Sequence, residues 1–261
     1  MFRTSFDKGL MSYSEYKPAF DRDGFVVVRQ FLDDDDFREL NSQLDRYIRK
    51  VVPTLPDSSI FYQVRDRPET LKQMQHFPPD PFFDGCPCHP KWVALAEALL
   101  GEPATAQGPE WFNKPPGTVH PTPPHQDNFY LNRRPPSVVT MWLALDPVAE
   151  ENGCLRYVAG SHKHGLRPHS LTEVLGFSKG ITDYGDGDKA RERLIRLEPN
   201  DLAVHHGETI HRADPNRSPD RQRRAFAQVF YGVSAKINEA ALARHSDDVR
   251  QQHEGMGLDV E

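Results

Sequence analysis

Between residues 104 and 232 short apolar runs are cut again and again by Pro, Gly and Asn. That rhythm restricts the fold more than any other feature of the chain. The runs fall at 105–113, 125–131, 137–146, 153–158, 193–198, 201–206, 209–212 and 222–232. Each is too short for a long helix, and several alternate apolar with polar residues, as a half-buried strand does. About eight such strands in sequence predict an antiparallel sandwich or jelly roll. The 23 prolines of the 261 residues fit this pattern, because proline favours turns over helix interiors.

The N-terminal part, about 12–101, reads as helical with one strand. A short helix over 14–22 stops at Gly24, and the β-branched run FVVVRQF at 25–31 predicts a strand. Asp33 or Asp34 then caps a helix with Phe37, Leu40, Leu44, Ile48 and Val51 on one face, ended by Pro53. The DDDD run suits that helix's positive end rather than a calcium site. KWVALAEALL predicts a third helix closed by Gly101. The expected organisation is one domain, 1–261, mainly β with flanking helices. Its jelly-roll core spans about 104–232, with a tail at 233–261. The 160–192 connection is long enough to expect a functional or mobile loop.

A formal net charge of −6 lacks the basic footprint of a nucleic-acid binder. The three cysteines, Cys86, Cys88 and Cys154, make no disulfide framework. With no signal-peptide pattern at the start, they point to a cytoplasmic, reducing setting. CPC at 86–88 has no second cysteine pair and reads as a loop, not a zinc site. No apolar run approaches membrane-spanning length, so no membrane partner is expected.

The chemistry gathers around PPHQDNFYLN at 123–132. His125 and Asp127 are two apart, so on a strand they face the same way and could share one cation. The third ligand is open among His120, His162, His164, His169, His205, His206 and His211. Two histidines and one carboxylate are the ligand set of non-haem Fe(II) oxygenases. Closed zinc sites instead want four protein ligands, preferring thiolate or imidazole. In RQRRAFAQVFYG, Arg223 shares a face with Ala225, Ala227 and Val229. Small neighbours leave room for a carboxylate on its guanidinium.

Seven segments in order extend the motif: LKQMQ (71–75), FNKPPG (112–117), HQDNFY (125–130), VTMWLAL (139–145), NGCLRYVAGSH (152–162), NDLAVHHGETIH (200–211) and PNRSPDRQRRAF (215–226). With them the chain, from about 12 to 232, resembles the phytanoyl-CoA dioxygenase family of Fe(II)/2-oxoglutarate oxygenases. The resemblance implies a double-stranded β-helix, the cupin-like jelly roll. It implies that His125, Asp127 and His211 hold Fe(II). It places Arg223 on the far carboxylate of the cosubstrate 2-oxoglutarate, with Arg224 as the alternative, and Lys72 and Trp142 near it. Ala213 replaces a serine often found two residues after the distal histidine, so Thr140 or Thr209 is expected to assist. Ala159 replaces a proline common before the GSH turn.

The implied reaction couples O₂ and 2-oxoglutarate to hydroxylation of an unactivated C–H bond, releasing succinate and CO₂. A carboxylate at position 127 favours hydroxylation over halogenation. Glu110, Asn128, Tyr130 and Arg156 are the candidate substrate contacts, suggesting a small polar or anionic metabolite. The alternatives are a non-catalytic metal-binding jelly roll and a zinc-dependent hydrolase, although no HExxH motif is present.

Overall fold

The computed structural model describes residues 12–55, 60–64, 67–74, 77, 79–172 and 179–239. The N-terminal part runs α1 (Lys17–Asp23), β1 (Phe25–Val28), α2 (Asp34–Lys50), β2 (Ile60–Tyr62), β3 (Leu71–Met74) and α3 (Pro90–Leu100). Then come β4 (Ala104–Asn113), β5 (Thr122–His125), α4 (Asp127–Leu131), β6 (Arg133–Arg134), β7 (Val138–Ala144) and β8 (Leu155–Val158). The chain continues through β9 (His169–Leu171), β10 (Lys179–Ile181), α5 (Asp186–Ala190), β11 (Glu192–Ile195) and β12 (Leu202–His206). It ends with β13 (His211–Ala213), β14 (Arg224–Gly232) and β15 (Lys236–Ile237).

Two antiparallel sheets build the jelly roll. The larger has the order β1-β12-β7-β14-β4-β3-β2, and the smaller has β11-β8-β13-β5. Period-two alternation sorts the larger sheet's side chains cleanly. Met141 and Leu143 of β7, Leu202 and Val204 of β12, and Phe226 and Phe230 of β14 face outward. They pack with Leu40 and Leu44 of α2 and Trp92, Leu95 and Leu99 of α3. Their intervening neighbours Trp142, Ala144, Ala203, Ala225 and Ala227 face the smaller sheet and meet Leu155, Tyr157 and Ala213. The outer face is thus filled by large residues against helices, while the inner face carries several alanines. Small side chains there leave space between the sheets for other groups.

The flanking helices follow their sequence signals. α1 stops at Gly24, whose φ of 84° is left-handed. α2 carries Asp34, Asp35 and Asp36 in its first turn and Arg49 and Lys50 in its last, each sign matching the helix dipole.

Two expectations change. The run 125–131 is not one strand: β5 ends at His125, and Asp127 opens the one-turn helix α4. Asn132, at φ 52°, closes that helix, and the Asn128 side chain bonds both backbone groups of Arg133. A left-handed asparagine with a side-chain tie is a local turn solution that an apolar count does not register. The 160–192 connection is also built, carrying a 3₁₀ turn at Ser161–His164, the β9–β10 hairpin and α5. Residues 173–178 of it, and the tail from 240, lie outside the described residues.

Candidate active site

β5 and β13 pair with His125 directly opposite His211, and β8 brings Tyr157 opposite His211 on its other side. The two imidazoles lie 4.1 Å apart between ring centroids. His125 Nδ1 is 2.8 Å from the Pro123 carbonyl, and His211 Nδ1 is 3.0 Å from the Thr209 carbonyl. A carbonyl only accepts, so each Nδ1 carries the proton and each lone pair sits on Nε2. That is the tautomer a metal ligand needs.

Gln126 between them is extended (φ −130°, ψ 125°), which turns Asp127 to the same side as His125 although no strand continues. Asp127 Oδ1 lies 3.6 Å from His125 Nε2 and 3.5 Å from His211 Nε2. Its Oδ2 is held from the larger sheet, where Thr140 Oγ1 donates at 2.6 Å and His205 Nε2 at 2.8 Å. Tyr157 donates its hydroxyl to His205 Nδ1 at 3.0 Å, which leaves the His205 proton on the side of Asp127. With two donors on Oδ2, Oδ1 is the oxygen left to meet a cation.

The ligand atoms of His125, Asp127 and His211 all lie within 4.8 Å of one another, the one such His/Cys/Asp/Glu group among the described residues. Metal–ligand bonds of about 2.0–2.2 Å set neighbouring ligands about 3 Å apart, so only small shifts would seat an ion here. Charge states agree with this. Burial lowers the pKa of both histidines, and His211 is pushed well below its ordinary value, with the His125 and His205 charges adding to the effect. Burial alone would raise Asp127. The nearby His211, His205 and His125, with the His205 hydrogen bond, instead hold it well below the usual carboxylate range. The directions, histidines pushed towards the neutral form and the aspartate towards the ionised one, are those a metal ligand set needs.

Arg223 is a second buried feature. It precedes β14, is 4% exposed, and lays its guanidinium 5.0 Å from the centre of the Trp142 ring. Its Nη1 donates to the Gly153 carbonyl at 3.3 Å, and its Nε is buried with no partner. Burial pulls its pKa down to about 10. A buried guanidinium with a spare donor, and no carboxylate bonded to it among the described residues, has the capacity to take an anion. Arg224 is a different kind of residue. Its backbone and guanidinium bond Asp146 outside the barrel, which removes it as an alternative anchor.

The other candidates divide. Glu110 lies opposite Ala227, itself opposite Trp142, so it faces inward. Burial first, and then Asp127, push its carboxyl up to about 7. Tyr130 sets its ring edge-on to His125 at 6.2 Å and gives its hydroxyl to the Lys179 carbonyl of the β9–β10 hairpin. Lys72 is partly buried on β3, and burial lowers its pKa.

Three expectations fail. Arg156 points out of the barrel and pairs with Asp214 at 2.6 Å and Glu192 at 3.3 Å, because on β8 the inward position belongs to Tyr157. Asn128 is 2% exposed and spends its amide on Arg133 and Glu208, leaving nothing for a substrate. Thr140 serves Asp127 rather than a cosubstrate carboxylate, and Thr209 donates to the Gly24 carbonyl. The clamp on Asp127 by His205 and Thr140, and the place of Tyr157, went unread in the sequence. Strand alternation puts Ala203 and His205 on one face, but nothing local says what lies across the barrel.

A jelly roll with two histidines and a carboxylate converging inside it defines the class of non-haem iron oxygenases. Residues 20–225 match the family model described as Phytanoyl-CoA dioxygenase (PhyH). The rat protein "Phytanoyl-CoA dioxygenase, peroxisomal" is 29% identical over 232 residues, covering 83% of this chain and 68% of the relative. Among solved structures, EvdO2 from Micromonospora carbonacea complexed with 2-oxoglutarate is 24% identical with TM-score 0.68, covering 88% of this chain and 94% of that one. EctD from S. alaskensis is 16% identical with TM-score 0.70, covering 90% and 82%. The chain belongs to the phytanoyl-CoA dioxygenase family. These are 2-oxoglutarate-dependent dioxygenases that use non-haem iron.

Proposed function

We propose that this chain hydroxylates an unactivated C–H bond of a small polar metabolite, with His125, Asp127 and His211 holding Fe(II). The observation that carries this reading is the convergence of the three ligand atoms, with each histidine Nδ1 turned to a backbone carbonyl so that its Nε2 is free to bind. Arg223, with Trp142 beneath it, is the residue we assign to the far carboxylate of 2-oxoglutarate. Bound iron and 2-oxoglutarate supply the oxidising power: one atom of O₂ enters the substrate and the other enters succinate, with CO₂ released.

The protein's own contribution is placement. Thr140 and His205 keep one oxygen of Asp127 occupied, so the carboxylate offers a single ligand atom and leaves room for other ligands. Glu110 faces the same space with no hydrogen bond or ion pair among the described residues. A hydroxyl or amine on the substrate would satisfy it, which favours a polar substrate. The argument for an anionic one loses Arg156, whose charge is neutralised outside the barrel. The rat relative is a phytanoyl-CoA dioxygenase, while two structures of similar fold are the epimerase SnoN and the carbocyclase SnoK, so the fold does not choose the outcome. The three cysteines are unpaired, which suits a reducing compartment. No helix of the described residues is long and apolar enough to cross a membrane.

One observation favours a second reading. A carboxyl near 7 beside a His₂Asp site could act as the general base of a zinc hydrolase, and Glu110 has that value. The buried Arg223, whose Nε has no partner among the described residues, has no use in such an enzyme. The decisive measurement is succinate formation from 2-oxoglutarate against a metabolite panel, with Fe(II) and then Zn(II) loaded. Iron-dependent succinate is expected. His125→Ala, Asp127→Ala and His211→Ala should each abolish stoichiometric iron binding, and a variant that binds iron as wild type would remove that residue from the site.

A further inference from the structure

Arg223 is not the only buried cation at its end of the barrel. Lys114 follows β4 and is 3% exposed. Among the described residues its Nζ has one hydrogen bond, to the His120 carbonyl at 3.2 Å. An ammonium has three protons to donate, so two are left over. Among the described residues no carboxylate forms an ion pair with Lys114 or with Arg223. The acids closest in charge are committed elsewhere: Asp214 to Arg156 and Arg212, and Asp146 to Arg224.

Lys114 and Arg223 also share a place. The Lys114 backbone N–H donates to the Arg223 carbonyl at 3.2 Å. Both side chains approach Gly153. Its carbonyl accepts from Arg223 Nη1, and a Cβ built on it would sit 3.1 Å from Lys114 Cδ. Lys114 is the residue just after β4, in step with inward-facing Glu110 and Phe112. Two cations buried side by side, with unused donors on both, are costly until an anion joins them.

We propose that Lys114 is the second cation of the 2-oxoglutarate seat, holding the far carboxylate together with Arg223. This rests on the cosubstrate reading of Arg223 above. Lys114 is a binding and positioning residue, and it supplies the help that Thr140 and Thr209 do not. Burial and the neighbouring Arg223 and Lys72 charges push the Lys114 pKa well below its ordinary value.

The test is calorimetry on the Fe(II)-loaded protein under argon, titrated with 2-oxoglutarate and with 2-oxobutyrate, which lacks the far carboxylate. Lys114→Met keeps the side-chain stem and removes the charge. It should weaken 2-oxoglutarate binding roughly 10- to 100-fold, the range for a lost hydrogen bond to a charged group. 2-Oxobutyrate binding should not change. Lys114→Met should also melt higher than wild type without ligand, because an unmatched buried charge has gone, whereas a simple loop brace would melt lower. Lys114→Arg should keep much of the preference for the dicarboxylate. If Lys114→Met binds both acids as wild type, or weakens both alike, the proposal is overturned. Arg223→Ala separates the two readings: if it loses the preference while Lys114→Met retains it, only the Lys114 assignment falls. If both variants retain it, the cosubstrate reading of this pocket falls as well.

Discussion

At the residue scale the site depends on which oxygen of Asp127 is free. His205 and Thr140 hold Oδ2, and Tyr157 fixes the His205 tautomer. Groups that orient a metal ligand are commonly worth about 10–100-fold in metal affinity. His205→Phe, which fills the space and donates nothing, is therefore expected to weaken iron binding by roughly that factor while Asp127 stays in place. A competitive chelator titration measures this, and unchanged affinity would show that Asp127 needs no such support. Spacing offered His125 and Asp127 as a candidate pair on one face of a strand, yet the physical route differs. Two residues apart on a strand share a face. Here one extended residue, Gln126, gives the same result just before a helix begins.

Among elements, alternation carried most of the fold. The strand runs at 105–113, 137–146, 201–206 and 222–232 correspond to β4, β7, β12 and β14, since each holds apolar residues on both faces of a covered sheet. The run at 125–131 misled, because Phe129 and Leu131 fit a strand and a single helical turn equally well. The connection before β8 is equally specific. Gly153 sits at φ 83°, and a Cβ there would collide with the Asp214 carbonyl. Gly153→Ala is expected to cost at least about 1–3 kcal/mol in urea denaturation, the usual range for a strained backbone position. It should also weaken 2-oxoglutarate binding through Arg223. A variant with wild-type stability would mean that the turn relaxes without cost.

For the whole molecule the relevant quantity is how much titratable chemistry the barrel and its flanks bury. His206, between His162 and the barrel wall, is pushed down to about 4 by burial and then by the His162 and His205 charges. His169, stacked on Phe129, is also pushed down to about 4, by burial first. A histidine lowered in the folded state binds its proton first in the unfolded chain. Its stabilising contribution is complete above about 6.5 and is lost as pH falls from there towards about 4. The metal-free protein should therefore show a melting temperature that is level above neutrality and declines steadily between about pH 6.5 and 4. A flat profile over that interval would mean that these histidines already titrate normally in the folded protein.

The sequence by itself determined the architecture and set His125 and Asp127 side by side as a candidate pair, while the third histidine came from the family resemblance. Strand alternation, proline and glycine punctuation, and residue types at short spacing are local properties, and local properties are written in order along the chain. Only the tertiary structure decided what each polar group faces. Arg156 and Tyr157 are adjacent in sequence, yet one side of β8 meets Asp214 and Glu192 while the other meets His205. Lys114 and Arg223 lie more than a hundred residues apart, and their charges matter only because β4 and β14 pair. A buried charge is defined by what surrounds it in space, and sheet pairing, not chain order, brings those surroundings together.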